Sequence, residues 1–276
     1  MNSEKLDRAR IDGPDREGFP PGFTSILEAD NDEFAMGLDL GIRRMSAGDT
    51  IEETHPQETT WVLMTGKAQL EFSGRTEEVE RGSIFDDAPT CLNLGPRTHC
   101  VVTARTDCEW AVVRVDNDGE LSSRLFRPED LTPEYRGKGL VQDACLRNVR
   151  LIFDDTVFVG SNMVIGEVIN YPGRWSSYPP HHHAQDEIYH YRFSETQGYG
   201  HAELGERVYR VNNGDTIRIP GGLDHSQVSA PGYAMYYLWV VRHQAENHYR
   251  GFEFTEDHRW LLSASAQGWT PKGGPR

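Results

Sequence analysis

Short apolar and polar runs alternate through most of this chain, and turn residues interrupt them at roughly eight- to twelve-residue intervals. In the first half the runs cover residues 37–45, 59–64, 68–72, 77–79, 100–104 and 110–115. Breaks at Ser46-Ala-Gly-Asp, Thr65-Gly, Ser73-Gly and Arg81-Gly-Ser supply the Gly and Asp positions that tight turns require. Similar runs return at 150–153, 156–159, 163–170, 188–193, 208–211, 215–219 and 234–241. The pattern predicts an all-β protein made of two barrels of similar style, as an internal duplication would leave. Helical periodicity is weak everywhere except 259–265.

The expected organisation has five parts. Residues 1–30, charged and rich in Pro and Gly, form a mobile or edge-lying arm; 31–118 form an N-terminal barrel; 119–150, with Arg127-Pro-Glu-Asp and Arg136-Gly-Lys-Gly, form a connector. Residues 151–250 form the C-terminal barrel and 251–276 a tail ending in the Gly- and Pro-rich stretch from Gln267.

Composition narrows the class of partner. The chain has 276 residues and a formal net charge of −15, and no basic run interrupts the acidic background. Nucleic acid is therefore not expected, because that binding relies on neutralising phosphates. No apolar run approaches the roughly 20 residues that span a bilayer, so no membrane partner is expected either. Cys91, Cys100, Cys108 and Cys145 match no zinc-ribbon or redox spacing, and the opening residues carry no basic-then-apolar signal. Reduced thiols in a cytoplasmic protein are the simplest expectation.

The chemistry concentrates at residues 173–187, where His181, His182, His183 and Glu187 lie within seven positions. In an extended strand His181 and His183 share a face and His182 points away, while Glu187 keeps the parity of the first pair if Ala184-Gln185-Asp186 preserves the register. Residues 214–225 then read Gly-Asp-Thr-Ile-Arg-Ile-Pro-Gly-Gly-Leu-Asp-His. Together the two segments resemble the two cupin motifs, in the expected order, and the resemblance adds His225 as the fourth ligand. Three imidazoles and a carboxylate suit a divalent first-row metal: zinc by preference, with Mn, Fe, Co or Ni also compatible. In the first barrel His55, Glu58 and His99 stand near equivalent positions, but lack the His-x-His pairing and fit the second motif poorly, so that barrel is expected to be metal-free.

The flanking residues resemble a narrower group. Trp175-Ser-Ser-Tyr-Pro-Pro-His, Glu187-Ile-Tyr-His-Tyr-Arg-Phe, Gln197-Gly-Tyr-Gly and Ala230-Pro-Gly-Tyr-Ala-Met-Tyr-Tyr-Leu are similar to the 5-deoxy-glucuronate isomerases of inositol catabolism. The related 4-deoxy-5-ketouronate isomerases fit these flanks less well. The resemblance implies a bicupin of tandem jelly-roll barrels, an aldose–ketose isomerisation, a sugar-acid substrate and a homo-oligomer. The short run 184–186, together with His182 and His190, departs from the family pattern and bears on the substrate more than on the metal. Alongside Glu187, the residues Tyr189 and Tyr191 share its parity and are candidates for holding or shuttling a proton. For the substrate the candidates are Arg174, Arg192, Tyr237 and Lys138, with the opposite parity counting against Arg192. Two rival classes carry the same motifs: an Fe(II) dioxygenase and a non-catalytic sugar-acid binding protein.

Overall fold

A computed structural model describes residues 3–263 and 265–272. β-branched and aromatic residues alternating with polar ones build two curled antiparallel assemblies. The first is a nine-stranded sheet running from Gly22–Leu27 to Arg124–Phe126. Its spine is the 15-residue strand Glu58–Phe72, which pairs with Arg75–Arg81, Cys91–Leu94, His99–Ala104 and Cys108–Val115. One face of that spine turns inward, where Trp61 meets Trp110 edge-on at 5.8 Å and Leu63, Leu70, Phe72 and Val102 fill the rest. The first lumen is thus a packed apolar core.

The second assembly has a seven-stranded and a five-stranded sheet. Met163–Asn170, Glu187–Phe193 and Met235–Arg242 lie side by side in the larger sheet, and Trp175–His182 pairs with His225–Ser229 in the smaller. The two-residue side-chain period divides their roles. Ile188, Tyr236, Leu238 and Val240 join Val62, Met64, Ala111 and Val113 of the first barrel in one continuous buried cluster. Glu187, Tyr189 and Tyr237 point the other way, into the second lumen.

Several boundaries differ from the sequence expectation. The arm is edge-lying, one of the two forms expected, and is shared between the barrels: Arg10–Ile11 is an edge strand of the second against Thr216–Ile219, and Gly22–Leu27 an edge strand of the first. The connector is divided likewise, since Arg124–Phe126 pairs with Cys91–Leu94 and Glu134–Arg136 with Arg147–Phe153. Nor is the C-terminal segment a tail at its start: Glu253–Phe254 pairs with His181 and His182. A 3-10 helix at Glu256–Leu262 replaces the helix expected at 259–265. Residues 1, 2, 264 and 273–276, parts of the expected arm, helix and tail, lie outside the described residues. No helix among the described residues is long and apolar enough to cross a membrane.

Buried charge joins the barrels. Glu167 of the second barrel accepts from Arg81 of the first at 2.7 Å and from Arg150 at 2.9 Å, and the Glu167 and Arg81 side chains are fully buried. Arg81 also donates to Leu63 O and Asp87 O, and Arg150 to Ile84 O, Asp87 O and Phe85 O. Burial alone would lower the Arg81 pKa, but the Glu167 carboxylate more than offsets it. A second junction uses His190, whose Nε2 accepts from Arg192 at 2.5 Å and whose Nδ1 donates to Thr216 at 2.8 Å. Arg192 reaches across to Glu109 of the first barrel at 2.8 Å and lies over the Phe19 ring. Burial first, and the Arg192 charge second, hold the His190 pKa well below its ordinary value.

Glu167→Ala leaves two guanidiniums buried without a counter-charge and is expected to destabilise the protein by about 3–5 kcal/mol in urea unfolding. A loss below about 1 kcal/mol would show that the junction is dispensable. For His190 the linkage sign follows from the depressed native pKa: below about pH 6.5 the unfolded chain takes up a proton that the native state refuses. Stability should fall on acidification from about pH 6.5, by up to about 1.4 kcal/mol per pH unit from this group. His190→Gln should shed that component, and identical pH slopes for the two proteins would refute the assignment.

Candidate metal centre

The centre is assembled where the two histidine-bearing segments meet. His181 stands opposite His225 in the ladder between Trp175–His182 and His225–Ser229. The chain turns through residues 184–186 and re-enters the sheet at Glu187, opposite Ile219. That turn is held by the Pro-Gly-Gly segment: Gly222 N–H donates to His183 O at 2.7 Å, and Gly221 N–H donates to the Asp186 carboxylate at 2.9 Å. A Cβ on Gly221 would lie 2.0 Å from Ala184 O, so only glycine allows this approach. The register is thereby restored across the bend. His183 Nε2 lies 3.1 Å and His225 Nε2 3.3 Å from Glu187 Oε2.

Ligand atoms of His183, Glu187 and His225 all fall within 4.8 Å of one another, and all three residues are buried. His181 stands beside them, outside that group, with its ring 4.4 Å from that of His225 and 4.2 Å from Phe252. Burial alone would raise the Glu187 pKa, but the hydrogen bond with His183 and the nearness of His225 pull it down to about 2. Burial, then the neighbouring His225, push the His181 pKa well below the usual imidazole value, leaving a neutral ring at neutral pH. His181 Nδ1, His183 Nδ1 and His225 Nε2 are buried without hydrogen-bond partners among the described residues. A neutral His181 ring, a charged carboxylate and unpartnered buried nitrogens fit a divalent cation.

The centre opens onto a cavity of about 310 Å³. Tyr189 and Tyr237 stack there at 4.5 Å between ring centroids. Their hydroxyls join a chain in which Tyr237 meets Ser176 at 2.5 Å and Ser177 at 3.4 Å, and Ser177 meets Tyr189 at 3.2 Å. Burial raises the pKa of both phenols, so both stay protonated near neutrality. The C-terminal strap spans the expected boundary between barrel and tail, and contributes Tyr249 and Arg250 of the one and Gly251 and Phe252 of the other to the wall.

Other expected site residues are placed elsewhere. Tyr191 shares the inward face but lies deeper: its hydroxyl donates to Gln227 at 2.6 Å, it does not line the cavity, and its expected proton role is corrected accordingly. Arg192 is committed to Glu109 and His190 at the barrel interface, and Lys138 is exposed outside the cavity. Arg174 is half-buried and likewise absent from the wall. The substrate roles expected for these three cations are therefore corrected. His182 points away and pairs with Asp224 at 2.7 Å. In the first barrel His55, Glu58 and His99 do not converge; Glu58 is buried among Asn93, Asn117 and Ser161, and exposed His99 meets Glu52.

The reading of the sequence missed Arg136, Arg147 and Arg250, all of which line the cavity. Arg147 shares its parity with Val149 and Leu151 in Arg147–Phe153, a signal hidden while 119–150 was taken as connector. A second cluster, Asp155, His243 and His248, borders the same cavity. There His243 Nδ1 accepts from Tyr249 N–H at 3.0 Å, and its Nε2 stands 3.0 Å from the Asp155 carboxylate. Asp155 also meets His248 at 2.8 Å and Arg250 at 3.3 Å, and the cluster ties the strap down.

Comparison with known proteins accords with this architecture. Residues 21–261 match the sequence profile of the KduI/IolB family. The chain belongs to the KduI/IolB family. Among curated relatives, the 5-deoxy-glucuronate isomerase of Geobacillus kaustophilus is 32% identical over 239 residues, covering 80% of this chain and 84% of the relative. That of Halalkalibacterium halodurans is 28% identical and covers 90% and 97% of the two chains. The crystal structure of an IolB-like protein from Salmonella typhimurium superposes with a TM-score of 0.79 at 27% identity, covering 89% of this chain and 97% of that one. Lactobacillus farciminis oxalate decarboxylase, 14% identical with a TM-score of 0.65 and covering 94% and 89%, shares the fold. The KduI/IolB chain described here is thus an all-β bicupin, with both of its metal-like clusters among the described residues belonging to the second barrel or its strap.

Proposed function

We propose that this protein is a metal-dependent aldose–ketose isomerase of a deoxy-uronic acid, converting 5-deoxy-glucuronate to 5-dehydro-2-deoxy-gluconate in inositol catabolism. The observation that carries the reading is the convergence of His183, Glu187 and His225 at one end of a cavity lined by protonated tyrosines, in a chain whose curated relatives are 5-deoxy-glucuronate isomerases. His181, His183, Glu187 and His225 would hold the ion, with zinc the first choice for this donor set. A divalent ion there supplies Lewis-acid polarisation of a carbonyl and its neighbouring hydroxyl.

The chain's own residues do the rest. Glu187, its pKa pulled down to about 2 by His183 and His225, is charged near neutrality and cancels part of the local positive charge. Tyr189 and Tyr237, protonated and backed by Ser176 and Ser177, present donors to oxygen atoms that gain negative charge as a proton leaves C2. They serve as donors rather than as the abstracting base, because burial keeps their own protons on. Tyr249 and Phe252 cover the rings of His183 and His181 and exclude water from the centre. Four buried free cysteines support a cytoplasmic setting, and closing unpaired strand edges by self-association accounts for an oligomer.

Incubation with 5-deoxy-glucuronate in deuterium oxide should place solvent deuterium at C1 or C2 of the sugar, read by proton NMR, in air and under nitrogen alike. Turnover that needs oxygen, or none at all, would overturn the isomerase reading. His225→Ala should lose both isomerisation and stoichiometric zinc in elemental analysis, and retained metal would refute the ligand assignment.

A further inference from the structure

Four arginines are buried among the described residues: Arg81, Arg147, Arg150 and Arg192. Three of them have a carboxylate, Arg81 and Arg150 sharing Glu167 and Arg192 reaching Glu109. Arg147 has none within ion-pair distance among the described residues. Its Nη1 donates to Cys145 O at 2.9 Å and to Tyr178 O at 3.4 Å, two neutral acceptors that leave Nε and Nη2 unused. An unpaired buried charge is costly, and elsewhere this chain avoids it.

A second cation makes the position less favourable still. Arg136 stands directly opposite Arg147 in the ladder between Glu134–Arg136 and Arg147–Phe153, and like charges at facing positions repel. Among the described residues the Arg136 guanidinium pairs only with exposed Glu134, at 2.8 Å. Both arginines line the cavity that holds His183, Glu187, Tyr189 and Tyr237. A second anion held between the guanidiniums would supply the missing counter-charge, and a planar guanidinium offers a carboxylate two parallel hydrogen bonds.

We infer that Arg147, with Arg136 across the ladder, binds the carboxylate of the substrate and so orients the sugar with its carbonyl end toward His183, Glu187 and His225. This rests on the sugar-acid reading for the identity of the anion, although the anion site itself stands on the unpaired guanidinium. Arg250, the third cation of the wall, is already engaged with Asp155 and is not needed for the assignment.

The test compares binding of D-glucuronate with that of its uncharged amide, D-glucuronamide, by calorimetry on the metal-loaded protein. Arg147→Met should weaken glucuronate binding about a hundredfold and Arg136→Met about tenfold, with little change for the amide and none in metal content. Arg147→Lys keeps the charge but loses the fork, and should recover part of the affinity, which a merely structural role would not predict. Glucuronate binding unchanged in Arg136→Met and Arg147→Lys, or equal losses for acid and amide, would overturn the proposal even if Arg147→Met failed to fold. Arginine-dependent glucuronate binding without turnover of 5-deoxy-glucuronate would uphold the anion site and remove only the isomerase reading.

Discussion

The contact on which the rest of the molecule depends is the buried carboxylate of Glu167 clasped by Arg81 and Arg150. It lies where the sheet of one barrel meets the sheet of the other, and each guanidinium also binds carbonyls of the segment 84–87. Apolar packing between the sheets is broad and would tolerate sliding. A fully desolvated charged node does not, because any displacement leaves a buried charge without its partner. It therefore sets the register in which Met163–Asn170, Glu187–Phe193 and Met235–Arg242 stand against the first barrel, and their opposite faces present the chemical groups to the second lumen.

The two barrels divide the work. Trp61, Trp110 and their neighbours pack the first lumen, and that barrel serves as the platform against which the second is braced. In the second, inward positions carry His183, Glu187, Tyr189 and Tyr237 beside the aliphatic Val149, Leu151, Val164 and Val168, and the cavity remains open. The same strands supply packing on one face and chemistry on the other. The strap from Tyr249 to Phe254 closes the side wall, and Asp155 with His243, His248 and Arg250 secures it.

Much of this was legible along the chain. Turn spacing announced a two-barrel all-β fold, and the parity of His181, His183 and Glu187 put three candidate ligands on one side while sending His182 to the other. Parity misled at Tyr191, which shares the face of Tyr189 yet donates to Gln227 below the cavity. A two-residue period reports the side of a strand and says nothing of depth along the barrel axis, which follows from strand tilt and from the neighbours across the sheet. The strand pairing of the arm and of the strap was hidden for a different reason: Arg10–Ile11 and Glu253–Phe254 are two residues long, too short to show any period.

The fold class and the shared side of His181, His183 and Glu187 are legible in the chain because they depend on local alternation and on turn residues acting within a few positions, whereas His225 came from the resemblance to the cupin motifs. Tertiary structure alone decided which cations face the cavity. Arg192, beside the motif, is drawn to Glu109 of the other barrel, whereas Arg147, far from the motif and hidden in an apparent connector, stands unpaired at the wall. The reason is that a buried charge goes where its solvation and counter-charges are, and those are set by chain segments distant in sequence that meet only when both barrels have closed.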